Sequence, residues 1–216
     1  MPPAKTPALT TTSYAILGLL AVKPWTTYEL AQQMRRALGQ FWPRAESKLY
    51  EEPKKLVAHG LARATKETTG KRPRTVYSIT PRGQRAMAAW VPEPAAGPVL
   101  EFEGLVKLFY AEHGTKRDVL ATLDQVRTWS DEQHHNSVGI SQSYLDGEGA
   151  FPNRLPWLIL CGQFLEEFTI MVEHWTEWAT GVVEQWPDDI SKAEPAFDVL
   201  RAQARRSEIR SSRSEA

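Results

Sequence analysis

The sequence predicts a mainly α-helical chain: an N-terminal winged helix-turn-helix with a two-stranded wing, then a C-terminal α-helical dimerisation domain. Three observations predict it. Between residues 12 and 91, three helical stretches give way to a β-hairpin and a fourth helix, the element order of a winged helix-turn-helix. The stretch "PEPAAGP" at 92–98 then reads as a linker by composition. Beyond it the pattern is helical, and Phe164, Phe168, Met171, Trp175, Trp178 and Val182 recur at alternating steps of four and three, an a/d-type seam. The expected organisation is a domain over 1–91, a linker over 92–98, a helical dimerisation or effector domain over 99–190, and a polar, Arg/Ser-rich tail over 191–216.

The elements follow in order. "MPPAKTPALTTT" is Pro/Thr-rich and reads as a mobile start. "TSYAILGLLAV" (12–22) is a buried helix by its density of Leu and Ile, broken by "KPW". Its core "AILGLLAV" imitates the apolar part of a secretory leader. It is followed by "KPWTTYEL" rather than a small-residue cleavage site, and it is far too short to cross a bilayer, so export and membrane anchoring are not expected. "TTYELAQQMRRAL" (26–38) opens with Thr26 three residues before Glu29, a capping box, and places Tyr28, Ala31, Met34 and Leu38 on one face. Residues 44–59 form a third helix, stopped by Gly60 as a left-handed cap. "LARAT" and "TVYSIT" are β-rich and flank Gly70 and Pro73, which predicts a hairpin with a long loop. Thr80 then caps a helix with Pro81 at its first position.

In the second half, "VLEFEGLVKLFYAEH" ends at Gly114, and Thr115 with Asp118 opens a helix carrying Val119, Leu120, Leu123, Val126 and Trp129. "DGEGAFPN" (146–153) is a turn, and the long helix bearing the seam covers about 154–186, with Leu165, Val172, Ala179 and Val183 widening its apolar face. After "WPDD" the chain is polar and is expected to be largely disordered at its end.

Formal net charge is zero, but the charge is segregated. Residues 1–91 hold 15 Lys and Arg against 5 Asp and Glu, a net +10; residues 92–200 hold 6 against 19, a net −13; residues 201–216 carry +3. Such asymmetry points to a nucleic-acid partner for the first part, with the acidic part repelled from it. The hairpin concentrates the effect: Lys66, Lys71, Arg72 and Arg74 surround a single acid, Glu67. In a winged helix the third helix enters the major groove and the wing lies along the backbone or minor groove, where Lys and Arg displace condensed counterions. The third helix adds Arg44, Lys48, Lys54 and Lys55. A hairpin turn is often charged only because it is solvated. Solvation does not explain why the acids sit in the other half.

"TSYAILGLLAVKPWTTYELAQQM" followed by "SKLYEEPKKLVAHGLARATKETTGKRPRTVYSITPRGQRAM" resembles the PadR family of bacterial transcriptional regulators. The likeness rests on the Leu-Tyr of the third helix, the Gly-Leu at its end, the Gly-Lys-Arg-Pro wing and the Tyr-x-Ile-Thr-x-x-Gly corner. The second half is similar to the virulence-activator-like helical region of larger members. The resemblance implies a homodimeric repressor of double-stranded DNA at an inverted-repeat operator, released by a small effector; the single cysteine fits a cytoplasmic location. By motif position it places Ser47, Lys48 and Tyr50 at DNA from the third helix and Lys71, Arg72 and Arg74 from the wing, with Tyr14 in the core. Pro53 departs from the pattern, in which an apolar residue such as Leu is usual. It removes a backbone donor and crowds the Leu49 carbonyl, at about 3 kcal/mol in a plain helix. Either a kink follows, or the DNA-reading and core-packing turns are offset.

The aromatic seam reads as core and dimer interface, or alternatively as a pocket between protomers for a flat aromatic ligand at Trp175 and Trp178. No catalytic or cofactor motif is present: the five histidines lack metal-ligand spacing, and no phosphate loop or nucleophile elbow occurs. The lone Cys161 permits no intramolecular disulfide and, in apolar "WLILCGQF", reads as an inert buried thiol. No enzyme, cofactor or metal is therefore expected. The rival to a regulator is a winged-helix module whose helical half binds a protein partner. A third possibility is a regulator without ligand whose helical half only dimerises.

Overall fold

The computed structural model describes residues 8–69 and 72–214, with Thr69, Arg72 and residues 206–214 described as backbone only. The chain forms two compact units, Met1–Pro98 and Val99–Ala216.

The first unit is built around α1 (Thr11–Val22), which is apolar on every side and packs against α2 (Thr27–Leu38), α3 (Glu46–Ala58), α4 (Pro81–Trp90) and a small sheet. Ile16, Leu17, Leu20, Leu30, Met34, Leu49 and Leu56 make its core. The two capping residues read from sequence act as such: Thr26 accepts from Glu29 N while Glu29 reaches back to Thr26, and Thr80 accepts from Gly83 N. Gly60 sits at φ +68°, the left-handed conformation that ends α3. α3 runs unbroken through Pro53, which is fully buried.

The sheet departs from expectation in two ways. It has three strands, in the order β1-β3-β2, because β1 (Trp25–Thr26) pairs with β3 (Arg72–Ile79) alongside β2 (Ala62–Thr69). The segment that breaks the first helix is thus used as a short strand, anchored by buried Trp25, whose Nε1 donates to the Leu19 carbonyl at 2.9 Å. The hairpin has no long loop either: pairing continues to Thr69 opposite Arg72. A third difference concerns α2, whose buried face is Leu30, Ala31 and Met34; Tyr28 lies off that arc and is exposed.

The second unit is a hairpin of two 30-residue helices, α6 (Lys116–Leu145) and α7 (Leu155–Glu184), preceded by α5 (Glu103–Phe109). At 1.5 Å per residue each long helix spans about 45 Å. Thr115 and Asp118 form the predicted capping box. Val119, Leu123 and Val126 of α6 face Val172, Ala179 and Val183 of α7, and Thr169 and Thr176 are buried with their hydroxyls satisfied by the carbonyls one turn back. Lys116 Nζ closes the far end of α7 by donating to the carbonyls of Glu184 and Trp186.

Two further expectations are corrected. Cys161 is exposed, because no residue of α7 before Thr169 is buried within the chain. The terminal segment is not disordered throughout: α8 covers Phe197–Ser214, whose Ala, Arg, Leu and Glu residues are good helix formers despite the scattered serines.

Candidate nucleic-acid interface

The phase of α3 decides what it presents. Leu49, Glu52, Pro53 and Leu56 turn inward, which leaves Ser47, Lys48, Tyr50, Glu51 and Lys54 on the solvent side. Lys48 Nζ lies 4.0 Å from Glu51 Oε2, both well exposed, a pair that restrains neither side chain strongly. Arg44 precedes the helix rather than belonging to it. Its guanidinium lies over the Trp42 ring at 4.0 Å and donates to the Pro43 carbonyl at 2.6 Å, while Trp42 Nε1 donates to Thr12 Oγ1 at 3.2 Å. Lys55 does not face outward with the other basic residues. Its Nζ donates to Glu52 Oε1 at 3.3 Å and to Ser13 Oγ at 3.1 Å, and both charged side chains are largely buried.

The wing projects beyond the core: every residue from Arg63 to Thr68 is exposed, as are Pro73 and Arg74. Arg63, Lys66, Arg72 and Arg74 therefore stand on paired strands. Arg74 donates to Glu67 Oε2 at 3.0 Å, directly across the hairpin, in an exposed pair that leaves the guanidinium open to other partners. Arg63 and Lys66 are exposed on β2. Lys71 lies outside the described residues, and Arg72 is placed only by its backbone pairing with Thr69. At the start of α2, the Thr26 backbone N–H and hydroxyl hold the Glu29 carboxylate below its ordinary range, with Arg74 and Lys23 adding to the effect.

The aromatic seam of α7 divides into two. Phe168, Trp175 and Val182 are half-buried; Phe168 meets Trp129 edge-on and Trp175 meets Phe102 edge-on. Phe164, Met171 and Trp178 face solvent, and Trp157, seven residues before Phe164, continues the same line. Sequence reasoning stopped at Phe164; the seven-residue period would have reached Trp157. The helical stretch Pro152–Glu184 has a window of mean hydropathy 1.3 that is only 11% buried within the chain, and by length and composition alone it would suffice to cross a membrane. The neighbouring stripe of Thr169, Val172, Thr176, Ala179 and Val183 makes the intrachain contact with α6.

A four-helix unit with a projecting β-wing and a polar, outward-facing third helix defines a winged-helix domain. Residues 16–89 match the transcriptional regulator PadR-like family. Over 80 residues it is 35% identical to the negative transcriptional regulator PadR of Bacillus subtilis, a stretch that is 36% of this chain and 43% of that protein. The chain's match thus spans less than half the length of this relative. Among solved structures it is similar to smu.1604c of Streptococcus mutans, with a TM-score of 0.68 at 17% identity, covering 77% of this chain and 96% of the other. It is also similar to B. subtilis PadR in complex with operator DNA (TM-score 0.63, 18% identity, 79% and 99% covered) and in complex with p-coumaric acid (0.62, 21%, 82% and 100%). These likenesses extend past residue 89, so these solved structures share helical elements of the second unit as well.

Proposed function

We propose that this protein is a homodimeric, cytoplasmic repressor that binds an inverted-repeat operator in double-stranded DNA and is released by a small aromatic effector. The observation that carries the proposal is the shared exposure of α3 and the wing in the unit that holds the chain's excess positive charge. Ser47, Lys48, Tyr50 and Lys54 read base edges or backbone in the major groove, with Arg44 beside them. Lys71, Arg72 and Arg74 follow the phosphates, which fixes position without reading sequence. The description of the B. subtilis relative as a negative regulator, and its structures with operator DNA and p-coumaric acid, support this reading. The uncovered line Trp157, Phe164, Met171 and Trp178 supports pairing of two copies through α7, with Phe168, Trp175 and Val182 at its margin. Two recognition helices and two wings would neutralise on the order of 6–10 phosphates, giving a log–log salt slope of about −5 to −9.

The test is footprinting and salt-dependent binding on the DNA upstream of the protein's own coding region. Charge reversal at Lys71 and Arg72 weakens binding to all sequences and flattens the slope, whereas Ser47→Ala and Lys48→Gln change which base pairs matter. DNA binding unchanged by both sets would sink the assignment.

A further inference from the structure

A buried polar cluster ties the proposed recognition helix to α1, with the Ser13 hydroxyl at its centre. The Ser13 hydroxyl is fully buried and donates to Glu52 Oε2 at 2.6 Å. It accepts from the Thr10 backbone N–H at 3.0 Å and from Lys55 Nζ at 3.1 Å. Thr10 Oγ1 lies a further 3.2 Å away, so every donor and acceptor position of the Ser13 hydroxyl has a partner. Lys55 Nζ closes the triangle on Glu52 Oε1 at 3.3 Å. The preceding residue on α1 does a related job ahead of the N-terminus of α3: buried Thr12 accepts from Trp42 Nε1, and the Trp42 ring carries the Arg44 guanidinium.

Glu52 and Lys55 also straddle Pro53. A proline at this position has no N–H for the Leu49 carbonyl, so α3 loses a backbone bond at its midpoint. Apolar packing of Leu49, Pro53 and Leu56 holds the helix against α1 but is indifferent to small rotations, since burial is non-directional. Hydrogen bonds are not: they weaken steeply as the angle departs from linear. Two side chains on either side of the missing bond, both fixed to one hydroxyl on α1, set the rotation of α3 about its own axis. That rotation determines where Ser47, Lys48, Tyr50 and Lys54 point.

We propose that Ser13, Glu52 and Lys55 are positioning residues that fix the DNA-reading face of α3 across the Pro53 gap, and that Lys55 makes no phosphate contact despite its place among the basic residues of that helix. The proposal rests on the DNA-binding function proposed above.

The experiment uses the full chain and two duplexes of equal length, one carrying the sequence upstream of the coding region and one of mixed sequence. Affinity for each is measured over a range of salt for the parent, Lys55→Met, Lys55→Arg, Ser13→Ala and the double variant Glu52→Gln/Lys55→Met. Lys54→Gln is the exposed comparison, and circular dichroism reports folding throughout. Lys55→Met and Ser13→Ala are expected to lose preference for the upstream duplex by about tenfold, the size of misplacing one base contact, while the salt slope on mixed DNA stays at the parent's value. Lys55→Arg, which keeps the charge and the donors, restores part of the preference. Lys54→Gln lowers the slope by about one for each protomer's contact. Where Lys55→Met unfolds through its unpaired carboxylate, the double variant, which buries no net charge, gives the same two readouts. A slope that falls in Lys55→Met as in Lys54→Gln overturns the proposal, as does an unchanged preference in the double variant. A parent that binds neither duplex overturns the DNA-binding reading itself, a result distinct from both.

Discussion

Charging the uncovered line on α7 should separate the proposed dimer. Trp157, Phe164, Met171 and Trp178 are 64, 61, 51 and 47% exposed. Full burial of a large apolar side chain is worth about 1.5–3 kcal/mol, so covering what remains open on these four contributes roughly 3–7 kcal/mol per protomer and twice that across a two-fold axis. Association costs ~4–15 kcal/mol before any of this is returned, so the dimer has little to spare. Met171→Glu removes about 1 kcal/mol of apolar burial from each protomer. At ~1.4 kcal/mol per decade the loss of about 2 kcal/mol weakens dimerisation roughly 30-fold. Desolvating two carboxylates at the interface adds to that figure. Sedimentation velocity over a concentration series reads the shift. Circular dichroism should stay at the parent's value, because residue 171 makes none of the buried contacts of α7 with α6. The reasoning is refuted if the parent is monomeric throughout the series, or if Met171→Glu and Phe164→Glu dimerise as the parent does.

Three stability predictions follow from local geometry. Gly83→Ala forces a Cβ against the Leu61 carbonyl oxygen and the Ile79 side chain at the corner where β3 meets α4, and should cost about 1–3 kcal/mol in thermal unfolding of the first unit. Leu56→Ala, at a fully buried site between α3 and α1, should cost about 2–5 kcal/mol in denaturant unfolding. Thr26→Ala removes the cap of α2 and should cost ~1 kcal/mol. Because hydrogen bonds from Thr26 hold Glu29 below its ordinary value of 4.5, the ionised carboxylate stabilises the fold above that pH, and the contribution is lost as pH falls through the lowered value. The difference in melting temperature between the parent and Glu29→Gln should therefore shrink on acidification below about 4.5, and a difference constant with pH would contradict it.

Local signals were legible where a short stretch contains its own physics. The capping boxes at Thr26 and Thr115, the left-handed Gly60 and the Thr80-Pro81 start of α4 all act as their sequence predicts. What stayed hidden needed partners distant in the chain. Strand β1 exists only because Trp25 and Thr26 meet Tyr77 and Val76, some fifty residues on. Lys55 looked like one more basic residue of the third helix, since nothing near it in sequence reveals Ser13, which lies 42 residues earlier. On α7, a Leu/Trp/Phe-rich helix has apolar residues on more than one stripe, and periodicity alone cannot say which stripe meets α6. The structure gives that contact to Thr169, Val172, Thr176, Ala179 and Val183, a line containing two threonines that hydropathy alone ranks low. Their hydroxyls bond within the helix, so they pack as small side chains and leave the bulkier aromatics outside.

The charge distribution of the first unit assigns different work to the two elements proposed to face DNA. Along the outer side of α3 the charges alternate: Glu46, Lys48, Glu51 and Lys54 are all exposed and nearly cancel. Arg35 is additionally paired with Glu46 at 2.8 Å. A helix so balanced supplies little long-range attraction to a polyanion. The wing and its approaches do, since the exposed Arg63, Lys66 and Arg74 outnumber the acids near them, Glu67 and Glu29. Non-specific attraction scales with phosphates neutralised, whereas discrimination depends on donors and acceptors held at fixed positions against base edges. A recognition helix low in net charge but rigidly oriented suits the second task, and a basic hairpin projecting past the core suits the first. That division gives a physical reason for burying Lys55 against Glu52: a cation spent on orientation costs the interface little attraction, because attraction is supplied from the wing.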